Sequence, residues 1–364
     1  MAEKVVGSNP TIRPKVFSMR FPKPLGVVCT TELGWRTVRL RWEKLLPLEF
    51  EDVRFVNPES FERKSKAFGS RSLREMLNTR AAAKAAIAAG AKDLLVATNT
   101  DATLLPRKSG ARYFIYMDAT HFQTQWISFR SPPKLRLKLR VEKMKKLVQE
   151  GHMFLCMSRF AAHGAAEEYG AKFERIRIVP PPVDTERFVP GPVHKNPPIR
   201  ALFIGSRFKV KGGEVLLSLC KAPELSQVEW HFVTPETRPA PPNASFHQLK
   251  PDTDELIARI RSCDVLVAPT TSDMLSLAAI ESQACGLAVV IRNIGGTSEV
   301  VVDGGSGYVI DRSDQSAVKE ALLRYVADPS LLSLHGQAGR ESALKRYSFP
   351  IHAAQIRSAV EAVQ

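Results

Sequence analysis

The sequence predicts an α/β protein with two doubly wound domains that face each other across a cleft. Three observations support this prediction. Short apolar runs alternate with helical stretches along most of the 364 residues. A proline-rich segment near the middle of the chain interrupts the alternation, which then restarts. The apolar runs have few polar positions, which is typical of parallel strands covered by helices on both faces.

The first half of the chain contains six strand-like runs and four helical stretches. The alanine-rich helix at 71–89 is followed by Gly90, a residue that favours the C-terminal cap of a helix. The predicted strands are Leu25–Thr31, Val53–Asn57, Asp93–Thr98, Tyr113–Asp118, Met153–Ser158 and Ile176–Val179, and the predicted helices are Trp35–Leu46, Arg71–Ala89, Leu135–Gln149 and Arg159–Tyr169.

The boundary between the halves is marked by proline. Three prolines at Pro180–Pro182 open a segment with four more before Ile199. Because proline donates no backbone hydrogen bond and fixes φ, this segment is predicted to be a semi-rigid linker. The expected organisation is a domain at 1–182, a linker at 183–198, a second domain at 199–345, and a C-terminal helix at 346–364 that packs back toward the first domain.

The alternation in the second half again predicts a parallel sheet with flanking helices. The stretch from Ser316 onward is expected to be mostly helical. The predicted strands are Ile199–Gly205, Val228–Thr234, Ser245–Leu249, Asp264–Pro269, Leu287–Ile291 and Gly307–Ile310, and the predicted helices before Ser316 are Gly213–Ala222, Thr253–Ser262 and Leu275–Cys285.

Positive charge is concentrated in the first half. The chain carries a net charge of +15 at pH 7, and residues 1–180 hold 33 Lys and Arg against 17 Asp and Glu. The first half is therefore expected to face an anionic partner. Nucleic acid, an acidic membrane surface and a phosphorylated substrate all fit this charge.

Several classes of protein are disfavoured by composition. No apolar run approaches the roughly 18 residues that a membrane-spanning helix needs. The first twenty residues contain no apolar segment typical of a secretory signal. The five cysteines are scattered and form no C-x-x-C pair, which favours reduced thiols over disulfides or a zinc site. We therefore expect a cytoplasmic protein.

One strand–turn–helix segment of the second half has the composition of a phosphate-binding turn. Phe203–Leu217 (FIGSRFKVKGGEVLL) combines glycines, which keep the backbone accessible, with basic side chains before a helix N-terminus. It matches neither a Walker A loop nor a G-x-G-x-x-G loop, so an ordinary basic surface turn is the alternative. The available cations are Arg207, Lys209 and Lys211, and the glycines are Gly205, Gly212 and Gly213.

A second segment, residues 264–307, contains two acids eight positions apart, Asp273 and Glu281, followed by a Gly-Gly turn and Glu299. This order resembles the donor-binding block of the family-4 retaining glycosyltransferases, which have the GT-B fold. The usual form of that block is an E-x7-E pair, then A-x-G-x-P-V-V, G-G-x-x-E and D-G-x-x-G. The other residues on this pattern are Pro269, Gly286, Val289, Val290, Gly295, Gly296, Asp303, Gly304 and Gly307.

Two segments of the first half strengthen the resemblance. Met157–Gly170 is similar to the last strand and helix of the family's N-terminal domain, and Ile176–Phe188 is similar to its inter-domain crossover. The resemblance covers roughly residues 110–350. It implies two Rossmann-like domains, an acceptor-side N-terminal one and a donor-binding C-terminal one, and a retaining transfer of a hexose-like sugar from a nucleotide-activated donor.

The resemblance also implies roles for individual residues. Glu281 would accept hydrogen bonds from the ribose hydroxyls of the donor, and Asp273 would contact the transferred sugar. Asp273 is one methylene shorter than the family's usual Glu, so the choice of sugar stays open. Backbone N–H groups of Ser276 and Leu277 would bind the diphosphate at a helix N-terminus. Because Glu281 would face the cleft, it is expected to contribute little to stability.

The leaving diphosphate needs positive charge as the sugar departs. Arg207 and Lys211 are expected to supply it, with Gly205 beside them on the donor side. No D-x-D-type metal motif stands out in the sequence. We therefore expect no metal ion and no cofactor apart from the nucleotide sugar as substrate.

Asp118 and His121 follow an apolar strand, where a cleft-facing loop is expected. In the family, a His or Asp in this region contacts the transferred sugar or the acceptor. His121 is therefore a catalytic and acceptor-side candidate, although a lone histidine is as often structural. The loop Thr30–Gly34 is a weaker candidate for the edge of the diphosphate site.

The helix at 132–150 carries seven basic residues, and a solvated face or a contact with an anionic membrane both fit it. The acceptor, whether glycan, lipid or small molecule, stays open. Two other classes are alternatives: a non-catalytic sugar-nucleotide-binding protein of the same fold, and a basic nucleic-acid-binding protein. No nucleic-acid-binding motif is recognised, so nucleic acid is not an expected partner. An epimerase or phosphorylase of the same fold fits the motifs less well.

Overall fold

A computed structural model of the protein describes residues 21–29, 33–61, 71–97, 101–107, 109–128, 134–192 and 198–363. It contains two parallel six-stranded sheets, one in each half of the chain. The predicted class, two doubly wound α/β halves, is therefore confirmed. Residues 30–32 of the predicted loop Thr30–Gly34 lie outside the described part of the chain. No helix in the described ranges is long and apolar enough to cross a membrane.

The first sheet has the strand order β2-β1-β3-β4-β5-β6. Alternate residues of its third strand enter different apolar cores, Leu94 and Val96 on one face and Leu95 and Ala97 on the other. Its strands are β1 (Leu25–Cys29), β2 (Val53–Val56), β3 (Asp93–Ala97), β4 (Arg112–Met117), β5 (Met153–Cys156) and β6 (Ile176–Ile178). Its helices are α1 (Leu33–Glu49), α2 (Arg71–Ala88), α3 (His121–Ser128), α4 (Lys134–Gln149) and α5 (Arg159–Tyr169).

The second sheet has the order β12-β11-β10-β7-β8-β9, so the direction in which successive strands are added to the sheet reverses between β7 and β10. In open parallel sheets the site lies at such a point, beyond the carboxyl ends of the strands. Its strands are β7 (Ile199–Ile204), β8 (Val228–Val233), β9 (Ala244–His247), β10 (Val265–Ala268), β11 (Ala288–Arg292) and β12 (Gly307–Ile310). The helices after β7 are α6 (Gly213–Leu219), α7 (Asp254–Arg261), α8 (Leu277–Ala284), α9 (Gln315–Ala327), α10 (Ser330–Arg346) and α11 (Phe349–Glu361).

Helix α11 packs against the first half of the chain. Its residues Ala353 and Ile356 join the apolar core formed around α1. The ring of His352 is buried between the halves: it accepts a hydrogen bond from Trp42 Nε1 at 2.8 Å, and its Nδ1 lies 2.7 Å from the Pro180 carbonyl. Burial lowers the pKa of His352 to about 4, so the ring is neutral and donates from Nδ1.

The segment after β4 is a helix, α3, where the sequence predicted a loop. Thr120 and Gln123 form a reciprocal cap. The Gln123 side chain accepts from the Thr120 backbone N–H at 2.9 Å, and the Thr120 hydroxyl accepts from the Gln123 N–H at 3.2 Å. T-x-x-Q is a recognised signature of a helix N-terminus. The helix therefore begins at His121, and the expected loop is only Asp118–Thr120.

Candidate functional site

The predicted phosphate turn and the first predicted acid meet at the carboxyl edge of the second sheet. Lys211 Nζ lies 2.6 Å from Asp273 Oδ2. Their side chains are 24% and 16% exposed, so the ion pair is open to solvent on one side. Gly205 follows β7, and a Cβ at that position would lie only 2.8 Å from the Lys211 Cβ. The glycine therefore leaves room for the Lys211 side chain at the end of the strand.

The turn that carries Lys211 is tied to the loop after β10. The Val210 carbonyl accepts a hydrogen bond from the Thr271 N–H at 2.8 Å. Gly212 has a φ of +86°, and a Cβ there would lie 2.5 Å from the Pro269 carbonyl oxygen. Only glycine fits this close approach at a positive φ. The two loops are thus held together as one basic and acidic surface.

Arg207 lies in the same turn as Lys211, and its side chain is exposed. Its carbonyl accepts from the Lys211 N–H at 2.9 Å, which fixes the spacing of the two basic residues along the turn. Among the described residues no carboxylate forms an ion pair with the Arg207 guanidinium. Its charge is therefore directed to solvent, unlike that of Lys211.

Helix α8 begins beside this pair. Ser276 is its N-cap, and the Ser276 hydroxyl accepts from the Ala279 N–H at 3.3 Å. The helix starts at Leu277, two residues later than predicted, because the Ser276 backbone is extended. With the hydroxyl used as a cap, it is the backbone N–H groups of the first turn that can receive an anion.

Glu281, the second predicted acid, is buried in an ion pair with a residue from the other half of the chain. Arg41 Nη2, on α1, lies 2.5 Å from Glu281 Oε1. The two side chains are 1% and 9% exposed. Burial raises the pKa of Glu281, and the Arg41 charge opposes that rise. The structure buries Glu281 beside Arg41, so the premise that its side chain faces the open cleft does not hold, and its removal would leave Arg41 without its nearest counter-charge.

The Gly-Gly turn lies against the first half of the chain. A Cβ on Gly296 would lie 2.7 Å from the Ser158 side chain, and one on Gly295 would lie 3.1 Å from Ile127 Cδ1. The Glu299 carboxylate, just beyond, accepts from the N–H groups of Arg159 and Phe160, both at 2.8 Å. Glu299 therefore caps helix α5 from the opposite half and holds the two halves together.

Asp118 follows β4 and faces Asp273 across the cleft. Burial is the main cause that raises the pKa of Asp118 to about 6, and the negative charge of Asp273 adds to it. Backbone N–H groups of Asp118 itself and of Ala119 donate to the carboxyl and limit the rise. The structure thus brings the two predicted acids of opposite halves within electrostatic reach of each other.

His121 is only 4% exposed. Its Nδ1 lies 2.6 Å from the Tyr169 hydroxyl, which also accepts from the His121 backbone N–H. Its Nε2 is buried and has no hydrogen-bond partner among the described residues. Burial, and secondarily the charge of Arg140, lower the pKa of His121 to about 4, so the ring is neutral near pH 7. The ring therefore packs against Tyr169 of α5.

No group of three or more His, Cys, Asp or Glu side chains in the described ranges is placed to hold a metal ion. The five cysteines are buried thiols outside any disulfide. Side-chain charges at this edge of the second sheet include those of the exposed Arg207 and of the Lys211–Asp273 pair, and Asp118 lies within electrostatic reach of Asp273.

The fold agrees with the comparisons. The chain has the GT-B fold, and residues 237–342 match the family described as "Glycosyl transferases group 1". This match includes Asp273, Ser276, Leu277 and Glu281, whereas Arg207 and Lys211 lie before it.

Two curated glycosyltransferases share sequence similarity with the chain. The chain is similar to the D-inositol 3-phosphate glycosyltransferase of Paenarthrobacter aurescens, with 27% identity over 50% of this chain and 51% of that protein. It is also similar to an uncharacterized glycosyltransferase of Methanocaldococcus jannaschii, with 30% identity over 25% of this chain and 26% of that protein. The chain spans about half the length of the first of these relatives and a quarter of the second.

Solved structures match more of the chain at lower identity. Sucrose-phosphate synthase from Thermosynechococcus elongatus aligns with a TM-score of 0.72 and 15% identity, covering 94% of this chain and 99% of that one. Anabaena HepE in complex with UDP aligns with a TM-score of 0.68 and 14% identity, covering 93% and 100%. At this identity the likeness concerns the fold.

Two functional features escaped the sequence reasoning. Arg41 lies in a helix with six other charged or polar positions, and nothing in its neighbourhood marks it as buried. The contact of Glu299 with α5 joins residues that are about 140 positions apart. For α3 the T-x-x-Q signature was available in the sequence, so this helix could have been found.

Proposed function

We propose that the chain is a retaining glycosyltransferase that transfers a sugar from a nucleotide-activated donor bound in the cleft. The single observation that supports this best is the Lys211–Asp273 pair at the N-terminus of α8, with Glu281 further along the same helix. A cation, a helix N-terminus and two carboxylates are the groups that a diphosphate, a sugar and a ribose require.

In this proposal the donor binds to the second half of the chain. Backbone N–H groups of Ser276 and Leu277 hold the diphosphate, and Asp273 accepts from hydroxyls of the sugar. Lys211 turns from Asp273 toward the diphosphate as negative charge grows on the leaving group. Exposed Arg207 supplies the second positive charge. HepE was solved with UDP and UDP-glucose, which makes uridine nucleotides the first donors to test.

The proposal includes independence from metal ions, because Arg207 and Lys211 would neutralise the diphosphate in place of a divalent ion. A panel of UDP-, GDP- and ADP-sugars identifies the donor first. With that donor, turnover in excess EDTA is expected to equal turnover in added magnesium or manganese. Loss of turnover in EDTA that magnesium restores would contradict this part of the proposal.

Substitution of Lys211 tests the diphosphate role. Lys211→Ala is expected to lower turnover by about two orders of magnitude with little change in donor KM, the typical cost of removing one transition-state donor. Lys221→Ala, an exposed lysine of the same domain, is the matched control. Donor binding without transfer or hydrolysis in the wild type would favour the alternative of a non-catalytic sugar-nucleotide-binding protein.

The proposal extends to the acceptor side, where a groove opens beside α3. The groove has a volume of about 1100 Å³ and is lined by residues of α3, α4 and α5. Phe122 and Trp126 are 46% and 68% exposed there, and Leu135 and Leu139 on α4 are similarly exposed. The groove itself is lined by Lys138 and Lys145 together with Glu142, Glu167 and Glu168. The exposed apolar side chains, with the further basic residues of α4, are the features that favour contact with anionic lipid.

Helix α3 connects this groove to the cleft. Its Ile127 lies next to Gly295 of the Gly-Gly turn, while Phe122 and Trp126 of the same helix line the groove. A lipid-linked acceptor bound in the groove would thus need to extend only along α3 to enter the cleft. The proposed partner is an anionic membrane surface, and the proposed location is the cytoplasmic side of that membrane.

Vesicle co-sedimentation tests this docking. With phosphatidylcholine vesicles that contain 30% phosphatidylglycerol, replacing Lys138, Lys143 and Lys146 by Glu together is expected to weaken binding by about a hundredfold or more, since each cation contributes about 1 kcal/mol. The matched control is Glu at Lys221, Lys250 and Lys345, which are exposed in the second half. If the wild type stays in the supernatant at low salt, the membrane part of the proposal is wrong. A phosphorylated small molecule is then the next candidate.

A further inference from the structure

Arg41 is among the largest fully buried side chains of the described molecule, and it lies between the two halves. Its Nη1 donates to the Pro182 carbonyl at 2.7 Å, where the linker begins. Its Nη2 donates to Glu281 Oε1 at 2.5 Å and lies 3.6 Å from Asp252 Oδ1. One guanidinium therefore joins α1, the linker and the donor helix α8.

Arginine is suited to this position because its planar fork donates in two directions at once. The Phe188 ring covers the guanidinium, with its centroid 5.4 Å from Cζ. The orientation of the Arg41 guanidinium is fixed, because water cannot replace a hydrogen-bond partner that a buried guanidinium loses. Asp252, the second carboxylate, has a φ of +61°. The chain accepts an unfavourable backbone conformation at the same cluster.

The pair leaves half of the Glu281 carboxylate available. Arg41 occupies Oε1, and no hydrogen bond to Oε2 is found within the described part of the chain. A carboxylate held at one oxygen has a defined plane, so the lone pairs of the other oxygen point in fixed directions. Two vicinal hydroxyls can donate to such an oxygen without any further ordering of the side chain.

We propose that Arg41 is a positioning residue that orients Glu281 for the ribose hydroxyls of the donor. The inference rests on the proposed function, since it assumes a nucleotide in the cleft. Arg41 does not contact the nucleotide; it acts through Glu281 and through its bond to Pro182. Recognition of the ribose therefore depends on the arrangement of the two halves and not on the second half alone.

Calorimetric binding of a ribonucleotide and its 2′-deoxy analogue to the full chain tests the inference. UDP, GDP and ADP are compared first, and the tightest is used with its deoxy form. The wild type is expected to prefer the ribonucleotide by about tenfold or more, the usual effect of a hydrogen bond to a charged group. Arg41→Lys keeps the charge but loses the fork, and should reduce this preference to less than about threefold.

Two further variants make the result specific. In a Glu281→Gln background, Arg41→Lys should cause no additional change in the ribose preference, because Arg41 acts only through that carboxylate. Arg36→Met, an exposed arginine of the same helix, should leave the preference at the wild-type value. A general loss of stability would weaken the ribonucleotide and the deoxy analogue equally, so the preference separates positioning from folding.

The outcomes are distinct from those of the proposed function. If the wild type binds none of the three nucleotides, the proposed function fails and the inference falls with it. If the wild type binds and discriminates but Arg41→Lys discriminates equally well, only the inference is overturned. Tighter ribonucleotide binding by Arg41→Lys would also overturn it, because Arg41 would then compete with the ribose for Glu281.

Discussion

Two ion pairs that involve carboxylates of the second half differ in burial and in the type of cation. Arg41–Glu281 crosses from α1 to α8, and its side chains are 1% and 9% exposed. Lys211–Asp273 lies within the second half at the mouth of the cleft, with side chains 24% and 16% exposed. The first uses a rigid fork with a further partner in the linker, and the second uses a flexible amine.

The difference in burial indicates which of the two cations can exchange its ion-pair partner. A buried pair cannot exchange its partner for water, so breaking it is costly. A half-exposed lysine exchanges partners at little cost, because water solvates the free ammonium and the carboxylate. Arg41 is thus a fixed support for its carboxylate, whereas Lys211 is free to leave Asp273 when an anion enters the cleft.

The largest expected effect comes from breaking the buried pair. Arg41→Met is expected to lower the free energy of unfolding by about 3–5 kcal/mol, the cost of leaving a buried charge without its partner. Urea unfolding of the full chain measures it, with Arg36→Met as the control. The double variant Arg41→Met/Glu281→Leu should regain most of the loss. A loss below about 1 kcal/mol for Arg41→Met would remove the distinction between the two pairs.

Asp118 offers a second test of this comparison, because its charge interacts with Asp273 of the Lys211–Asp273 pair. Its folded pKa of about 6 lies above the ordinary 3.8. Its contribution to stability is therefore complete below pH 3.8 and is lost as the pH rises through about 6. At pH 4 the difference in free energy of unfolding between Asp118→Asn and the wild type should reflect only the loss of the carboxyl group. At pH 8 this difference should shift in favour of Asp118→Asn by up to about 3 kcal/mol.

Urea unfolding at both pH values measures this difference. Other titrating groups cancel when the variant is subtracted from the wild type at each pH. A constant difference between pH 4 and pH 8 would show that Asp118 ionises at its ordinary pKa. Asp273→Asn should reduce the pH dependence of the wild type only in part, because burial is the larger cause of the shift.

The smallest expected effect belongs to the open pair. Lys211→Met should change the free energy of unfolding by only about 0–1 kcal/mol, the range for exposed ion pairs. Raising the salt concentration to 1 M should remove even this difference, because the Debye length falls to about 3 Å. A loss comparable to that of Arg41→Met would mean that Lys211 is a structural cation and is not available to a diphosphate.

The second half was the more predictable part of the molecule. Its turn, its acid pair and its glycines lie on short local motifs, and the structure brings Lys211 to Asp273 as their positions beyond the strand ends suggested. Burial of Glu281 could not be predicted, because it depends on a helix about 240 positions earlier in the chain. The partner of a buried charge is a long-range property that no local spacing reports.

In the first half, strands were predictable and side-chain roles were not. The six predicted strands are all present, since continuous apolar runs between turns define them. His121 was read as a loop residue, although Thr120 and Gln123 form the cap that places it in a helix. The Tyr169 hydroxyl that contacts His121 lies on another helix. This contact depends on how the two helices pack, so the sequence pattern around His121 does not predict it.

The position of helix α11 bears on the order in which the protein is completed during synthesis. Domains generally fold as they emerge, with the N-terminal one first. Here the core around α1 includes Ala353, Ile356, Ala359 and Val360, which are translated after the whole second sheet. The N-terminal half therefore emerges from the ribosome with part of its apolar surface uncovered. The half that is made first is the half that is finished last.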